Sequence, residues 1–318
     1  MTSVNTISEI IGEPTSLHID WTVSNICNYD CLYCSSEAKG GDWGWPDLKN
    51  VSQTISELRK HYTDRRFCYT LLGGELTLWK QFNQFIELLH QETPGCKIKL
   101  LTNGRMPPAY WQQWGNKFSA IQFSYHGRQA NTQEFIDSIL ACSCENINVF
   151  VMMDILNWDK CQSAYEQIVN QCTNVRIVSA KPIDNRAVNY TSELQGYTES
   201  QLAWMRNAKK YNNKIKAPPF NITYAKYTNG TVEEIDPMRL IIDGDNLWQG
   251  WQCSIGIEKL AFRTHGEITR GSGCDVDTFN RIGNWRTGDI IALPKDWITC
   301  PKPACFCGND IGVSRRAD

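Results

Sequence analysis

The chain has 318 residues, a formal net charge of -2 and a pI near 6.2, which excludes a strongly basic nucleic-acid surface. A chain this long buries a sizeable core and holds one large or two smaller domains. No apolar run reaches the length of a membrane span, and the polar stretch before Ser16 lacks a signal-peptide core. The expected location is the cytoplasm, where thiols stay reduced, so the 14 cysteines point to metal rather than to disulfides.

In chain order, residues 18–24 alternate weakly and read as a strand, followed by a cysteine-rich loop. Residues 47–62 predict a helix, with Val51, Ile55 and Leu58 at helical spacing. Residues 67–72 are a short apolar strand ending at Gly73-Gly74, and residues 78–92 a helix with Phe82, Phe85, Leu88 and Leu89 on one face. Residues 97–101 form a third strand, and residues 107–114 a short helix begun by prolines. Strands over 120–124, 147–153 and 174–178 alternate with helices over 131–142 and 159–170. Six strands and five helices in alternation imply a parallel sheet with right-handed crossovers. Ligand loops in such sheets follow the C-terminal strand ends. The cysteine loop, Gly73-Gly74-Glu75, Thr102-Asn103-Gly104 and Ser124 should therefore converge on one mouth.

After residue 180 the rhythm changes. Residues 181–219 are polar, with one helix expected over 200–211. Asn229-Gly230 lies between residues 220–224 and 232–235, a hairpin signal, and a second hairpin is expected around His265-Gly266. The organisation expected is a barrel over 1–180, a linker helix and hairpin over 181–250, and a small extension over 251–318. Trp43, Trp45, Trp248, Trp251, Trp285 and Trp297 lie outside clear helices and are expected to pack the core and the joints between domains.

The chain is organised around Cys27-Asn28-Tyr29-Asp30-Cys31-Leu32-Tyr33-Cys34. With 14 cysteines in the chain, about 0.03 triplets of this spacing arise by chance, so the spacing is a signal. Thiolates are soft ligands, and three of them on one loop can take three corners of an iron–sulfur cube. The fourth iron is then open to a small molecule. A zinc site is the alternative, although zinc usually takes four protein ligands in paired units.

The triplet and its setting resemble the radical S-adenosylmethionine (SAM) superfamily. The loop follows a strand, Tyr33 precedes the third cysteine, and Gly73-Gly74-Glu75 follows a second strand. The resemblance implies a partial (β/α)6 barrel, with a [4Fe–4S] cluster on Cys27, Cys31 and Cys34 whose open iron chelates SAM. Reduction then cleaves SAM to methionine and a 5′-deoxyadenosyl radical. It also places Gly73 and Gly74, with Glu75, at the SAM amine and Tyr33 near the adenine. Asn103 and Ser124 are candidates for the carboxylate and ribose. Tyr125 and His126 could face substrate or lie on a solvated loop, and at least one of Met152 and Met153 belongs to the core.

Cys253, Cys274, Cys300, Cys305 and Cys307 fall in the last 66 residues, around the second hairpin and a Gly/Pro-rich tail. This resembles the C-terminal extension of SPASM/Twitch radical SAM enzymes, which holds an auxiliary [4Fe–4S] cluster. Gly266 matches that pattern, while Cys274 follows it at a longer spacing. Five cysteines fit the one-cluster version with one to spare, either Cys305 or Cys307; a zinc knuckle is the alternative. Cys68, Cys96, Cys142, Cys144, Cys161 and Cys172 lie in or beside strands and helices and are expected to be thiols without chemistry.

The function implied is hydrogen abstraction from a substrate, foremost a ribosomally made peptide that is cross-linked, epimerised or oxidised. A small-molecule dehydrogenase or epimerase acting on a sugar, aminocyclitol or nucleoside is the second expectation, and a non-catalytic iron–sulfur protein the third. A reductase such as flavodoxin or ferredoxin is an implied partner. About 17 residues precede the first expected strand, so a peptide leader would be bound by a separate protein.

Overall fold

The computed structural model describes residues 6–34, 38–183, 196–212, 214–215, 220–235, 237–242, 244–274, 281–305, 307–308 and 310–317. Much of the polar stretch 181–219 lies outside the described residues.

Its strands are β1 (Ile7–Ile11), β2 (Ser16–Thr22), β3 (Arg66–Leu72), β4 (Lys97–Thr102), β5 (Ala120–His126), β6 (Ile147–Met153), β7 (Val175–Pro182) and β8 (Lys209–Tyr211). Nine short ones follow: β9 (Tyr224–Tyr227), β10 (Val232–Glu234), β11 (Gln252–Cys253), β12 (Lys259–Phe262), β13 (Glu267–Thr269), β14 (Gly283–Asn284), β15 (Asp289–Ile290), β16 (Ile298–Thr299) and β17 (Arg315–Arg316). The helices are α1 (Leu48–His61), α2 (Phe82–Glu92), α3 (Pro108–Trp114), α4 (Thr132–Ala141), α5 (Trp158–Gln171), α6 (Glu199–Asn207) and α7 (Pro237–Ile242).

The larger sheet runs β15-β14-β13-β12-β2-β3-β4-β5-β6-β7-β8. From β12 to β7 every neighbouring pair is parallel. The six expected strands are β2 to β7, with α1 to α5 crossing between them: a partial (β/α)6 barrel. Alternation along each strand decides which side chains meet the helices. Trp21, Tyr69, Leu71, Ile98, Leu100, Ile121 and Phe123 join Val51, Ile55, Phe85, Ile86 and Leu89 of the helices in one buried core. Asp20, Lys99, Gln122, Ser124, Asn148 and Lys181 take the opposite, inner face.

Some element ends differ from the sequence expectation, for local reasons. Residues 76–78 form a separate 3-10 turn capped by the Glu75 side chain, and Trp79 is extended, so α2 starts at Phe82 rather than at 78. The expected helix over 200–211 stops at Asn207, because residues 209–211 pair antiparallel with the edge of β7. The hairpin at Asn229-Gly230 is present, with Val232 opposite Lys226, and so is the one at His265-Gly266, with Phe262 opposite Ile268.

The N-terminal residues hold a strand that the polar sequence did not announce. β1 sits inside a second sheet of order β10-β9-β1-β17-β11-β16. Its Ile10 is buried with Ala225, Leu240, Trp248 and Ile311. Residues 251–318 are shared between the sheets: β12 to β15 extend the barrel, while β11, β16 and β17 join β1. Trp21, fully buried, meets Phe262 at 4.9 Å and Trp285 at 5.1 Å, both edge-on, so the hairpin is welded into the barrel core.

Candidate active site

The loop after β2 is sewn to the corner after β3. Gly74 N–H donates to Ser24 O (2.8 Å) and Glu75 N–H to Ile26 O (2.8 Å). A Cβ on Gly73 would stand 2.2 Å from Ser24 O, and one on Gly74 2.0 Å from Ile26 O. Gly73 also has φ +143°, a conformation L side chains rarely adopt. The glycine pair therefore exists first to let two main chains touch, directly upstream of Cys27.

Glu75 is 1% exposed, and its carboxylate is fully engaged. One oxygen accepts from Thr77 Oγ1 (2.6 Å) and Thr102 Oγ1 (2.9 Å), the other from Asn103 N–H (2.7 Å) and Thr102 Oγ1 (3.0 Å). Burial raises its pKa above the usual carboxylate range, and the hydrogen bonds from Thr77, Asn103 and Thr102 oppose that rise. Glu75 thus ties the end of β3 to the end of β4. Asn103 continues the chain of contacts: its Nδ2 donates to Asn28 Oδ1 in the cysteine loop (2.8 Å).

Within the loop, Tyr29 N–H points at Cys27 Sγ (3.3 Å) and Lys39 Nζ donates to Cys31 O (3.0 Å). Cys31 is buried; Cys27 and Cys34 are half-buried. Burial pushes the Cys27 and Cys31 thiols up. At the end of β5, His126 Nδ1 lies 3.6 Å from Cys31 Sγ and 2.5 Å from the Tyr33 hydroxyl, and its ring stacks on Tyr33. Burial lowers the His126 pKa to about 4, so the ring is neutral. Tyr125 turns away, buried against Phe135, with its hydroxyl 2.8 Å from Thr132 Oγ1. Ser124 faces the inner side. Met153 is core, and Met152 takes the inner face. The loop, Gly73 to Glu75, Asn103 and His126 thus meet at one rim. His126 stood among the expectations only as one of two neighbours; Asn28, Thr77 and Thr102 had no sequence signal beyond their place beside strand ends.

A second group of cysteines is assembled about a cavity of about 160 Å³. Cys253, Cys274, Cys300, Cys305 and Cys307 all line it, with Asp310 and Arg315. Arg315 is buried; it donates to Asp310 O and Ile311 O (2.7 Å each), and one nitrogen stands 3.6 Å from Cys305 Sγ. The guanidinium lies 4.1 Å over the Trp248 ring. Burial opposes its charge, but the sulfurs of Cys253 and Cys305 outweigh burial and raise its pKa. Asp310, 1% exposed, accepts from Ser272 N–H and Gly273 N–H, beside Cys274. Lys259 Nζ stands 3.6 Å from Asp310 and 2.8 Å from Asp20, so a buried Asp20–Lys259–Asp310 chain connects this cavity to β2. Nothing in the sequence singled out Arg315, Asp310 or Lys259. The other six cysteines are all buried.

Both donor sets fit iron–sulfur groups chemically. The rim offers three thiols and a backbone N–H already aimed at one sulfur; the tail offers five sulfurs and a buried cation to balance thiolate charge. No helix among the described residues is long and apolar enough to cross a membrane.

A model of the Radical SAM superfamily matches residues 21–156. No curated protein matches the sequence. Among solved structures, the chain is similar to Streptococcus suis SuiB bound to S-adenosylmethionine, at 13% identity and TM-score 0.50, covering 86% of this chain and 64% of that one. It is also similar to anSMEcpe with bound AdoMet (15% identity, TM-score 0.48, 85% and 78% covered). BtrN in complex with AdoMet and 2-DOIA follows at 14% identity and TM-score 0.40, with 84% and 77% covered. The strand-borne cysteine triplet and the family match agree: residues 21–156 carry a radical SAM domain, of a superfamily that uses a [4Fe–4S] cluster and S-adenosylmethionine.

Proposed function

We propose that Cys27, Cys31 and Cys34 hold the cluster that binds SAM. Four of the five tail cysteines hold a second one, and the enzyme takes hydrogen from a ribosomally made peptide to cross-link, epimerise or oxidise it. The observation that carries this is the stitching of the cysteine loop to Gly73-Gly74-Glu75 and Asn103 at the C-terminal rim of the barrel. When bound, the cluster and SAM supply the hydrogen-abstracting chemistry.

The protein's own part is placement. The Tyr29 N–H offers the Cys27 sulfur a hydrogen bond that strengthens when the sulfur is anionic. Main chain at Gly73 and Gly74 presents the SAM amine site, and Glu75 serves as a positioning residue, its oxygens being occupied. Asn103 and Ser124 face the carboxylate and ribose; Tyr33, held by His126, lies toward the adenine. In domain terms, the barrel over 1–180 carries SAM, and the extension over 251–318 closes the chamber where substrate reacts. The enzyme works in the cytoplasm with a flavodoxin- or ferredoxin-like reductase and a separate leader-binding protein. SuiB has itself been solved bound to its precursor peptide SuiA. A small-molecule dehydrogenase or epimerase is the second reading, favoured by the charged inner face of the barrel.

Anaerobic reconstitution and reduction test the proposal. The wild type should bind about eight irons if both sites are cubes, and convert SAM to methionine and 5′-deoxyadenosine. Fully loaded protein that leaves SAM intact would overturn it. Mass spectrometry of a peptide encoded beside the gene, against sugar and nucleoside candidates, separates the two substrate readings.

A further inference from the structure

At the opposite end of the barrel from the cysteine loop, one row of side chains crosses the inner face of the sheet. Parallel register sets His18 of β2 beside Cys68 of β3, and Cys68 beside Lys97 of β4. Alternation puts His18 and Cys68 on the face that also carries Asp20 and Thr70, away from the helices. All three strands begin here, so the row forms the floor of the lumen. Glu13, just before β2, closes on it: its Oε2 stands 3.3 Å from His18 Nε2, and its Oε1 accepts from Ile222 N–H (2.9 Å). The Phe220 ring meets His18 edge-on at 6.5 Å. Cys68 is fully buried, and the side chains of His18 and Glu13 are 12% and 19% exposed.

A carboxylate oxygen of Glu13, an imidazole nitrogen of His18 and the sulfur of Cys68 all lie within 4.8 Å of one another. This is not a nucleophile relay, in which the imidazole would separate thiol from carboxylate. The three donors instead surround one point. Metal–ligand bonds of about 2.0–2.3 Å put tetrahedral zinc donors roughly 3.3–3.8 Å apart, so a closure of about 1 Å completes the set. The ring is also unsatisfied as it stands, because His18 Nδ1 is buried without a hydrogen-bond partner. If Nε2 gives its proton to Glu13, Nδ1 is a bare buried lone pair; if Nδ1 holds the proton, Nε2 turns a lone pair on the carboxylate. A cation shared by ring and carboxylate removes that conflict. Charge balances too, since one carboxylate and one thiolate neutralise a divalent ion. The lysines that flank the row are engaged elsewhere: Lys97 donates to Phe220 O (3.5 Å), and Lys259, beside His18 on β12, is held between Asp20 and Asp310.

We propose that Glu13, His18 and Cys68 hold a divalent transition metal, zinc foremost, at the floor of the barrel, separate from both cysteine groups. Thiolate, imidazole and carboxylate together suit zinc, and three protein ligands leave a fourth position for water. Binding releases the Cys68 thiol proton to solvent. The metal joins β2 and β3 to the segment that carries Glu13 and, through Ile222, to the approach to β9 in the second sheet.

The test uses reconstituted enzyme with its clusters loaded, dialysed anaerobically against zinc chloride. The wild type should retain one zinc per chain. Its zinc X-ray absorption should show one sulfur at about 2.3 Å and nitrogen or oxygen neighbours at about 2.0 Å. Cys68→Ser and His18→Gln should each weaken zinc by about a hundredfold while leaving the iron content unchanged. Zinc should raise the melting temperature of the wild type and not that of Cys68→Ser. A wild type that retains no zinc, or whose zinc has no sulfur neighbour, would overturn the proposal whatever the variants do. So would equal zinc affinity in wild type and Cys68→Ser. Three or four sulfurs about the zinc would also defeat it, because the metal would then sit among the tail cysteines.

Discussion

The rim of the barrel and the tail cavity each gather cysteines, but they are built differently. At the rim, long parallel strands with an apolar outer face place each loop, and the loops need only short hydrogen bonds to lock together: Gly74 to Ser24, Glu75 to Asn103, Asn103 to Asn28. Around the tail cavity, β11, β16 and β17 are two residues each. There the shape is held by buried charge, with Arg315 on two carbonyls and Asp310 on two N–H groups. The contrast predicts that the rim is preorganised by the fold, whereas the tail depends on a bound ligand to complete it.

The largest expected effect divides the two sites. Replacing Cys27, Cys31 and Cys34 with Ala should abolish reductive SAM cleavage, leave about four irons in the tail and keep the circular dichroism spectrum of the wild type. Cleavage at the normal rate in that variant would break the comparison at its first term.

Next, Cys253→Ala with Cys274→Ala should remove the second set of irons and end product formation while uncoupled SAM cleavage persists. Hydrogen exchange should rise in β11, β16 and β17 and stay low in β2 to β7. Unchanged protection in those short strands would mean that the tail is as preorganised as the rim.

Trp285→Ala sharpens where the boundary runs. Although it lies late in the chain, Trp285 packs on Trp21, so its loss should destabilise the barrel itself by about 3–5 kcal/mol. A melting temperature close to that of wild type would place the hairpin outside the barrel core.

Arg315→Met should act on the tail alone. It removes the buried cation beside Cys253 and Cys305, so the potential of the second cluster, titrated in the triple Ala variant, should shift negative. Arg315→Lys should recover only part of the shift, because it lacks the fork that reaches both carbonyls. An unmoved potential would mean that the guanidinium is purely structural.

The smallest effect concerns the joint between the sheets. Glu13 stands 3.3 Å from His18 on β2 and accepts from Ile222 N–H ahead of β9. Burial alone would raise its pKa, but the His18 contact, the Ile222 hydrogen bond and the charge of Lys97 outweigh it and lower it to about 2. A lowered carboxylate pKa means stability that is present above pH ~4.5 and lost as pH falls toward ~2. Partial exposure limits this to about 1–2 kcal/mol. Glu13→Gln should flatten the acid limb of a denaturation series over that window, and an unchanged limb would mean that the pair does not couple the sheets.

Much of the barrel was legible because its signals are local. The apolar spacing of Val51, Ile55 and Leu58, or of Phe82, Phe85 and Leu89, is set by helix geometry, and Gly73-Gly74 and Asn103-Gly104 mark where strands end. β1 and the share-out of residues 251–318 between two sheets were not legible. β1 is stable only because Ile10 finds Ala225, Leu240 and Ile311, all more than two hundred residues away.

By itself the sequence determined the chemistry available: three thiols at a spacing suited to one cluster, five more in the tail, and six strands in alternation with helices. Only the tertiary structure decided the company those groups keep. It turned Glu75 inward to bind two loops, set His126 between Cys31 and Tyr33, and buried Arg315 beside Cys305. The physical reason is range. Spacing and periodicity act over a few residues, whereas the balance of buried charge is set by side chains that meet only after the strands have paired.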